Sequence, residues 1–100
     1  MFKRKMYQCV TCADGFSMSV QANGTAYCLP RENSASKYTE VEVGFPSQEE
    51  PLLMEYCEDP NDPTGTVYAW VPAQVVTNVI AKHGGVVSGE LPPGIPFLSA

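Results

Sequence analysis

The sequence predicts an α+β fold: an antiparallel sheet of about five strands, built from N-terminal hairpins, with one C-terminal helix packed on it. Three observations predict it. The first half consists of short segments separated by the tight-turn dipeptides Asp14-Gly15 and Asn23-Gly24. Tyr38–Val43, YTEVEV, alternates with period two. A valine-rich stretch at about 72–83 has helical spacing. Strands followed by a helix favour the α+β class. The 100 residues are read as one domain, 1–100, with residues 1–5 expected to fray and 86–100 to form an extended tail. A chain of this length buries roughly two thirds of its unfolded surface.

Residues 7–22 read as the first hairpin. If Asp14-Gly15 is a two-residue type I′ loop, Ala13 faces Phe16, and Thr11, Cys9 and Tyr7 face Met18, Val20 and Ala22. That register puts Cys9 in the core. It puts Val10 and Cys12 on the opposite face with Ser17, Ser19 and Gln21. Asn23-Gly24 then returns the chain, with Tyr27 opposite Val20 and Cys28 opposite Ser19. Residues 29–37 are a polar loop. Tyr38–Val43 is a strand with Thr39, Val41 and Val43 inward and Glu40 and Glu42 outward. GFPSQEEP is a turn, LLMEYCE a short apolar stretch of either type that leans towards strand, DPNDPTG a loop with two prolines and a glycine, and TVYAWV a buried strand. In the helix, Pro72 suits the first turn and Val75, Val76, Val79 and Ile80 form the apolar stripe. Lys82 and His83 complement the dipole at its end, and Gly84 stops it. The tail, SGELPPGIPFLSA, is expected to wrap the surface or to reach a partner chain.

Composition narrows the function classes. Hydrophobic residues make up 44% and charged residues 17%, a globular balance. No apolar run approaches a membrane span, and the basic start lacks the apolar stretch of a signal peptide, so a cytoplasmic setting with reduced thiols is expected. The net charge is −5, unevenly spread: residues 1–39 carry five basic and two acidic side chains, and residues 40–100 carry one and nine. The only basic cluster is Lys3, Arg4 and Lys5, which disfavours binding to a nucleic-acid backbone.

The cysteines offer two readings. Cys9 and Cys12, in CVTCADGF, have the spacing of half a zinc knuckle, with Cys28, Cys57 and His83 as single further ligands. In an extended strand, however, residues three apart point to opposite faces and cannot share a metal. No helix follows Cys12, as thioredoxin-type chemistry requires. The expectation is no cofactor, with a zinc-stabilised interaction module as the alternative. A small enzyme using a Cys28–His83 or Cys57–His83 pair is a further alternative, although a histidine at a helix end commonly serves the dipole. Gly84-Gly85 follows a helix and is not a phosphate loop of the Walker type. The acidic run from Glu49 to Asp62 lacks calcium-loop spacing and reads as solvated surface.

Arg31, in YCLPREN, lies between two proposed strands with Tyr27 and Tyr38 nearby in sequence. Its planar fork suits phosphate or carboxylate, and aromatic faces suit a base. The proposed ligand-binding set is Arg31 for the anionic group, Tyr27, Tyr38 or Trp70 for stacking, and Ser17, Ser19, His83 or the Gly84-Gly85 backbone for hydrogen bonds.

The segments YCLPR, YTEVEVGFPS, EEPLLMEYCEDPNDPTGTVYAWVP and VIAKHGG together resemble a class of small proteins encoded by tailed bacteriophages and prophages, over roughly Tyr7–Gly85. The resemblance implies expression in an infected bacterial cytoplasm, and no particular fold or activity. Small phage accessory proteins often act by binding: they block a host defence protein or sequester a nucleotide-derived signal. The expected function is therefore a non-catalytic binding protein of counter-defence type that holds a small anionic, nucleotide-like ligand or occludes a host protein. A minor phage structural component is another alternative. A homo-oligomer is expected because hairpin edges need covering.

Overall fold

The computed structural model describes residues 6–100, so the fraying expected for residues 1–5 lies outside the described residues. The architecture is a five-stranded antiparallel sheet carrying one α-helix. In chain order come β1 (Val10–Cys12), β2 (Ser17–Gln21), β3 (Glu40–Gly44), a 3-10 helix (Pro51–Tyr56), β4 (Val67–Pro72), α1 (Ala73–Lys82) and β5 (Val86–Ser88). The strands lie in the order β4-β3-β2-β1-β5.

The first hairpin slips by one residue from the expected register. Val10 pairs with Met18 and Thr11 with Ser17. The physical cause is the turn. A type I′ loop needs positive φ at both central residues, but only Gly15 adopts it, at φ 93°. The Gly15 N–H donates to the Cys12 carbonyl (3.0 Å) and the Cys12 N–H to the Phe16 carbonyl (2.8 Å), closing a three-residue loop. A one-residue slip exchanges the faces. Val10 and Cys12 join the core, whereas Cys9 is exposed.

Asn23-Gly24 does not make a hairpin. The Asn23 side-chain oxygen accepts from the N–H groups of Thr25 and Ala26, both at 2.9 Å, which folds the chain locally as Asx turns do. β2 instead pairs with β3, Val20 opposite Val43 and Gln21 opposite Glu42. Tyr27 and Cys28 therefore do not face Val20 and Ser19 across a ladder. Val41 and Val43 are inward as expected, but Thr39 is exposed and Tyr38 is buried in its place.

LLMEYCE lies mostly in the 3-10 helix and not in a strand. Glu50 caps it by accepting from the Leu52 N–H at 2.8 Å, and Pro51 opens it. The capping residue followed by proline stabilises a helical start more than the short apolar run favours extension. The α-helix starts where β4 ends, at Pro72, and buries Val76, Val79 and Ile80. Each valine costs up to about 0.7 kcal/mol in helix propensity. Burying it returns about 1.5–3 kcal/mol, so packing decides the helix.

The core unites Val10, Cys12, Met18, Val20, Val41, Val43, Tyr68 and Val71 of the sheet with Leu53 and the helix stripe. The opposite sheet face carries Ser19, Gln21, Glu40 and Glu42, of which Gln21 is buried and the other three are half-buried. Both outer strands are flanked within the chain. Cys57 bridges to Tyr68 of β4, and the Glu58 N–H donates to the Val67 carbonyl. On β5, Val86 bridges to Ser99, and its N–H and carbonyl bond to Leu98 and Ala100. The tail thus folds back on its own domain, and its first residues form a strand. The chain itself covers part of each outer edge. Among the described residues, no helix is long and apolar enough to cross a membrane.

Candidate functional site

The site begins with a register break in β4. Val41 faces Val71, but Val43 faces Tyr68, so β4 carries one residue more than β3 between these pairs. Such a bulge re-aims a side chain. It lets Tyr68 and Val71, three apart, both enter the core, and it turns Trp70 out of the sheet. TVYAWV was expected to be buried throughout; Trp70 is 44% exposed. Its backbone has φ 50°. For a bulky residue this conformation is a genuine outlier, costing about 1–3 kcal/mol.

The segment after β2 clamps that outlier. The Trp70 N–H, released from the ladder, donates to the Tyr27 carbonyl at 3.0 Å. The Tyr27 N–H donates to Glu42 Oε1 at 3.0 Å. The two rings lie 5.1 Å apart, tilted by 40°. Arg31 sits over the other ring of the group, 5.5 Å from the Tyr27 centroid, and its Nη2 donates to the Thr25 carbonyl at 3.0 Å. Leu29 bridges to Glu40 beside this patch and is 49% exposed. Tyr27, Trp70 and Arg31 of the proposed set are therefore brought together on the polar face of the sheet. A neighbouring pocket of about 140 Å³ is lined by Met6, Gln21, Asn23, Thr25, Ala26 and Glu42.

The other proposed residues do not join this group. Tyr38 is buried; its hydroxyl donates to the Glu32 carbonyl (2.6 Å) and accepts from the Ala35 N–H (3.2 Å), so its ring is a core element and not a stacking surface. Ser19 shares the polar face, where its hydroxyl accepts from the Gln21 amide at 3.0 Å. Ser17 lies four residues along the strand from Gln21, about 13 Å away at strand rise, and pairs with Ser47. The Gly84 and Gly85 N–H groups are spent closing the helix end on Ala81 and Ile80, so they are not donors for a ligand.

His83 belongs to a second cluster, around the β1–β2 turn. Nδ1 lies 2.6 Å from Asp14 Oδ2, and Nε2 lies 2.6 Å from Glu50 Oε1. Ionised carboxylates only accept, so with Asp14 and Glu50 both ionised each ring nitrogen carries a proton and the ring is an imidazolium. Phe16 stacks on it at 4.1 Å, 13° from parallel. Lys82 completes the group at 2.9 Å from Glu50. Burial opposes charge on His83, but hydrogen bonds to Asp14 and Glu50 outweigh it and hold the imidazole above its ordinary range. Burial likewise raises Glu50, yet the Leu52 N–H, Lys82 and His83 bring it below the usual carboxylate range. The Phe16 N–H and His83 lower Asp14.

With both nitrogens facing carboxylates, His83 pairs with neither Cys28 nor Cys57. The Cys28 thiol is 3.1 Å from the Asn23 carbonyl, and burial raises the Cys12 and Cys28 thiols. All four cysteines are free, with Cys9 exposed and Cys12 buried. Among the described residues, no three Cys, His, Asp or Glu side chains are arranged to hold a metal.

Of the residues proposed from the sequence, Tyr27, Trp70 and Arg31 lie together, whereas Glu42, Glu50 and Asp14 were not among those proposed. Only Glu50 left a local signal, as a capping residue before Pro51. Comparison with known protein families, with characterised proteins and with solved structures returned no match, so the functional reading rests on this geometry.

Proposed function

We propose that the protein is a non-catalytic binding module whose Tyr27–Trp70–Arg31 surface takes a protein partner. One observation carries this reading: a tryptophan is held in a strained backbone conformation and yet remains exposed. Strain of about 1–3 kcal/mol persists only where surrounding contacts impose it, and such outliers cluster at functional positions. Trp, Tyr and Arg are also the residues that dominate binding energy at protein interfaces.

The surroundings favour a protein over a small anion. Arg31 is already engaged with Thr25 and Tyr27. The neighbouring pocket holds the Glu42 carboxylate and is about 140 Å³, whereas ligand pockets commonly run about 300–1,000 Å³. Glu40 and Glu42 border the aromatic pair, which suits basic groups on the partner. The resemblance to phage-encoded proteins makes a host protein the natural class.

A photoreactive residue at position 27, compared with one at the exposed Glu55 position, tests the reading in bacterial cells. A discrete protein adduct from position 27, absent from position 55 and abolished by Trp70→Ala, is expected. Equal adducts from both positions, or an adduct that survives Trp70→Ala, overturn it.

A further inference from the structure

The His83 cluster ties three distant segments together: the β1–β2 turn through Asp14, the start of the 3-10 helix through Glu50, and the end of the α-helix through His83 itself. Backbone bonds reinforce the first tie. The Asp14 N–H donates to the His83 carbonyl at 3.2 Å and the Ala13 N–H to the Gly85 carbonyl at 3.0 Å. Gly84 has φ 92°, and a Cβ there would lie 3.0 Å from the Ala13 Cβ, so turn and helix end are in close contact.

We propose that this cluster is a pH-operated clasp: the doubly protonated His83 ring holds the β1–β2 turn on the helix end, and loss of one ring proton releases the Asp14 arm while the Glu50 arm stays closed.

The argument is one of donors and acceptors. A neutral imidazole has one N–H. Its bare nitrogen would then present a lone pair to a carboxylate at 2.6 Å, and one arm must open. The two arms differ in burial. The Asp14 side chain is 51% exposed and can turn to water, whereas that of Glu50 is 1% exposed. Glu50 is also fixed by the Leu52 N–H and by Lys82. The remaining proton therefore stays on Nε2 and Asp14 swings out.

The groups facing the ring come from every packed element. Asp14 comes from the turn, Glu50 from the 3-10 helix, and Lys82 acts from the α-helix through Glu50. Cys12, on β1, feels the Asp14 charge, and Phe16 contributes an uncharged face. The two carboxylates raise the ring's proton affinity in the folded state. The clasp is thus fully closed between the unfolded carboxylate range and the unfolded histidine value of about 6.5, and it opens as pH rises through the higher folded value.

Nuclear magnetic resonance of the full chain tests this. Ring nitrogen shifts follow protonation of His83. Amide protection of Ala13 and Asp14 follows the turn, and that of Leu52 and Leu53, which bond to Glu50, follows the other arm. Protection at Ala13 and Asp14 is expected to fall at least about tenfold in step with ring deprotonation, above the ordinary histidine range, with Leu52 and Leu53 unchanged. The variant Asp14→Asn offers the ring either an oxygen or an N–H. It should lower the ring's proton affinity at least about tenfold and make the turn insensitive to pH. Titration of His83 at or below the ordinary range overturns the proposal. So does a turn whose protection ignores ring protonation, a loss of protection at Leu52 that accompanies it, or an Asp14→Asn protein that responds to pH as the parent does.

Discussion

The two side-chain clusters of this fold solve opposite problems. Around His83, two anions and two cations are drawn together, and among the described residues no buried side-chain nitrogen or oxygen lacks a hydrogen-bond partner. Around Trp70, aromatic area and a strained backbone are left facing solvent. Phe16 and Gln21 bracket β2 between the two regions, about 17 Å apart at strand rise. A saturated cluster holds segments together and has little left to offer a ligand. An unsaturated one costs folding free energy and has contacts left to give. On the proposed reading the first is structural and the second a binding surface, and substitutions can break that division.

The largest effect belongs to the saturated side. Glu50→Ala leaves a buried imidazolium without one carboxylate, frees the Leu52 N–H and strands Lys82. Removing one partner of a buried pair costs about 3–5 kcal/mol, which urea unfolding will register as a lower midpoint. A loss within about 0.5 kcal/mol would mean that the cluster is decorative.

Next comes Trp70. Replacing it with glycine relieves the positive φ and deletes the ring. Stability should hold or rise by about 1 kcal/mol, while partner binding should weaken at least about tenfold, as for an interface anchor. Thermal unfolding and binding measured on the same preparation give both numbers. A protein that loses stability and keeps its partner would make Trp70 structural and dissolve the contrast.

The pH dependence is the third test. Asp14 and Glu50 have lowered folded values, so their contribution is present above the unfolded carboxylate range and is lost as pH falls through the folded values. His83 has a raised value, so its contribution is present below about 6.5 and is lost as pH rises through the folded value. Stability should therefore peak on the acidic side of neutrality and decline on both sides. A midpoint that climbs steadily from neutral to alkaline pH contradicts the cluster.

These two clusters were unequally legible in the sequence. The helix and β3 could be read because their signals are local: Val75 to Ile80 repeat at helical spacing, and Val41 and Val43 alternate with glutamates. Asp14-Gly15 marked a turn but not its length, since whether Asp14 takes positive φ depends on its contacts with Phe16 and His83. Asn23-Gly24 has the composition of a hairpin loop, but the Asn23 side chain bonds its own backbone. The patch was half visible, as aromatic and arginine types near one loop. What brings Trp70 to Tyr27 is a bulge that no spacing reveals. The His83 cluster joins residues 33 and 69 positions apart in sequence, a relation without local trace.

Arg31→Ala makes the finest distinction. The residue is exposed, bonds one carbonyl and lies over one ring. Its loss should change stability by no more than about 0.5 kcal/mol, as for most surface positions. Yet its guanidinium orders the loop from Thr25 and shields one face of Tyr27, so partner binding should weaken by a few-fold, less than for Trp70. Arg31→Lys separates two causes. If the charge matters, lysine restores binding; if the planar fork on Tyr27 matters, it does not. The geometry favours the fork, because among the described residues Arg31 is bound to a neutral carbonyl and a ring and not to a carboxylate. Full rescue by lysine would turn the site back towards simple charge attraction and towards an anionic ligand.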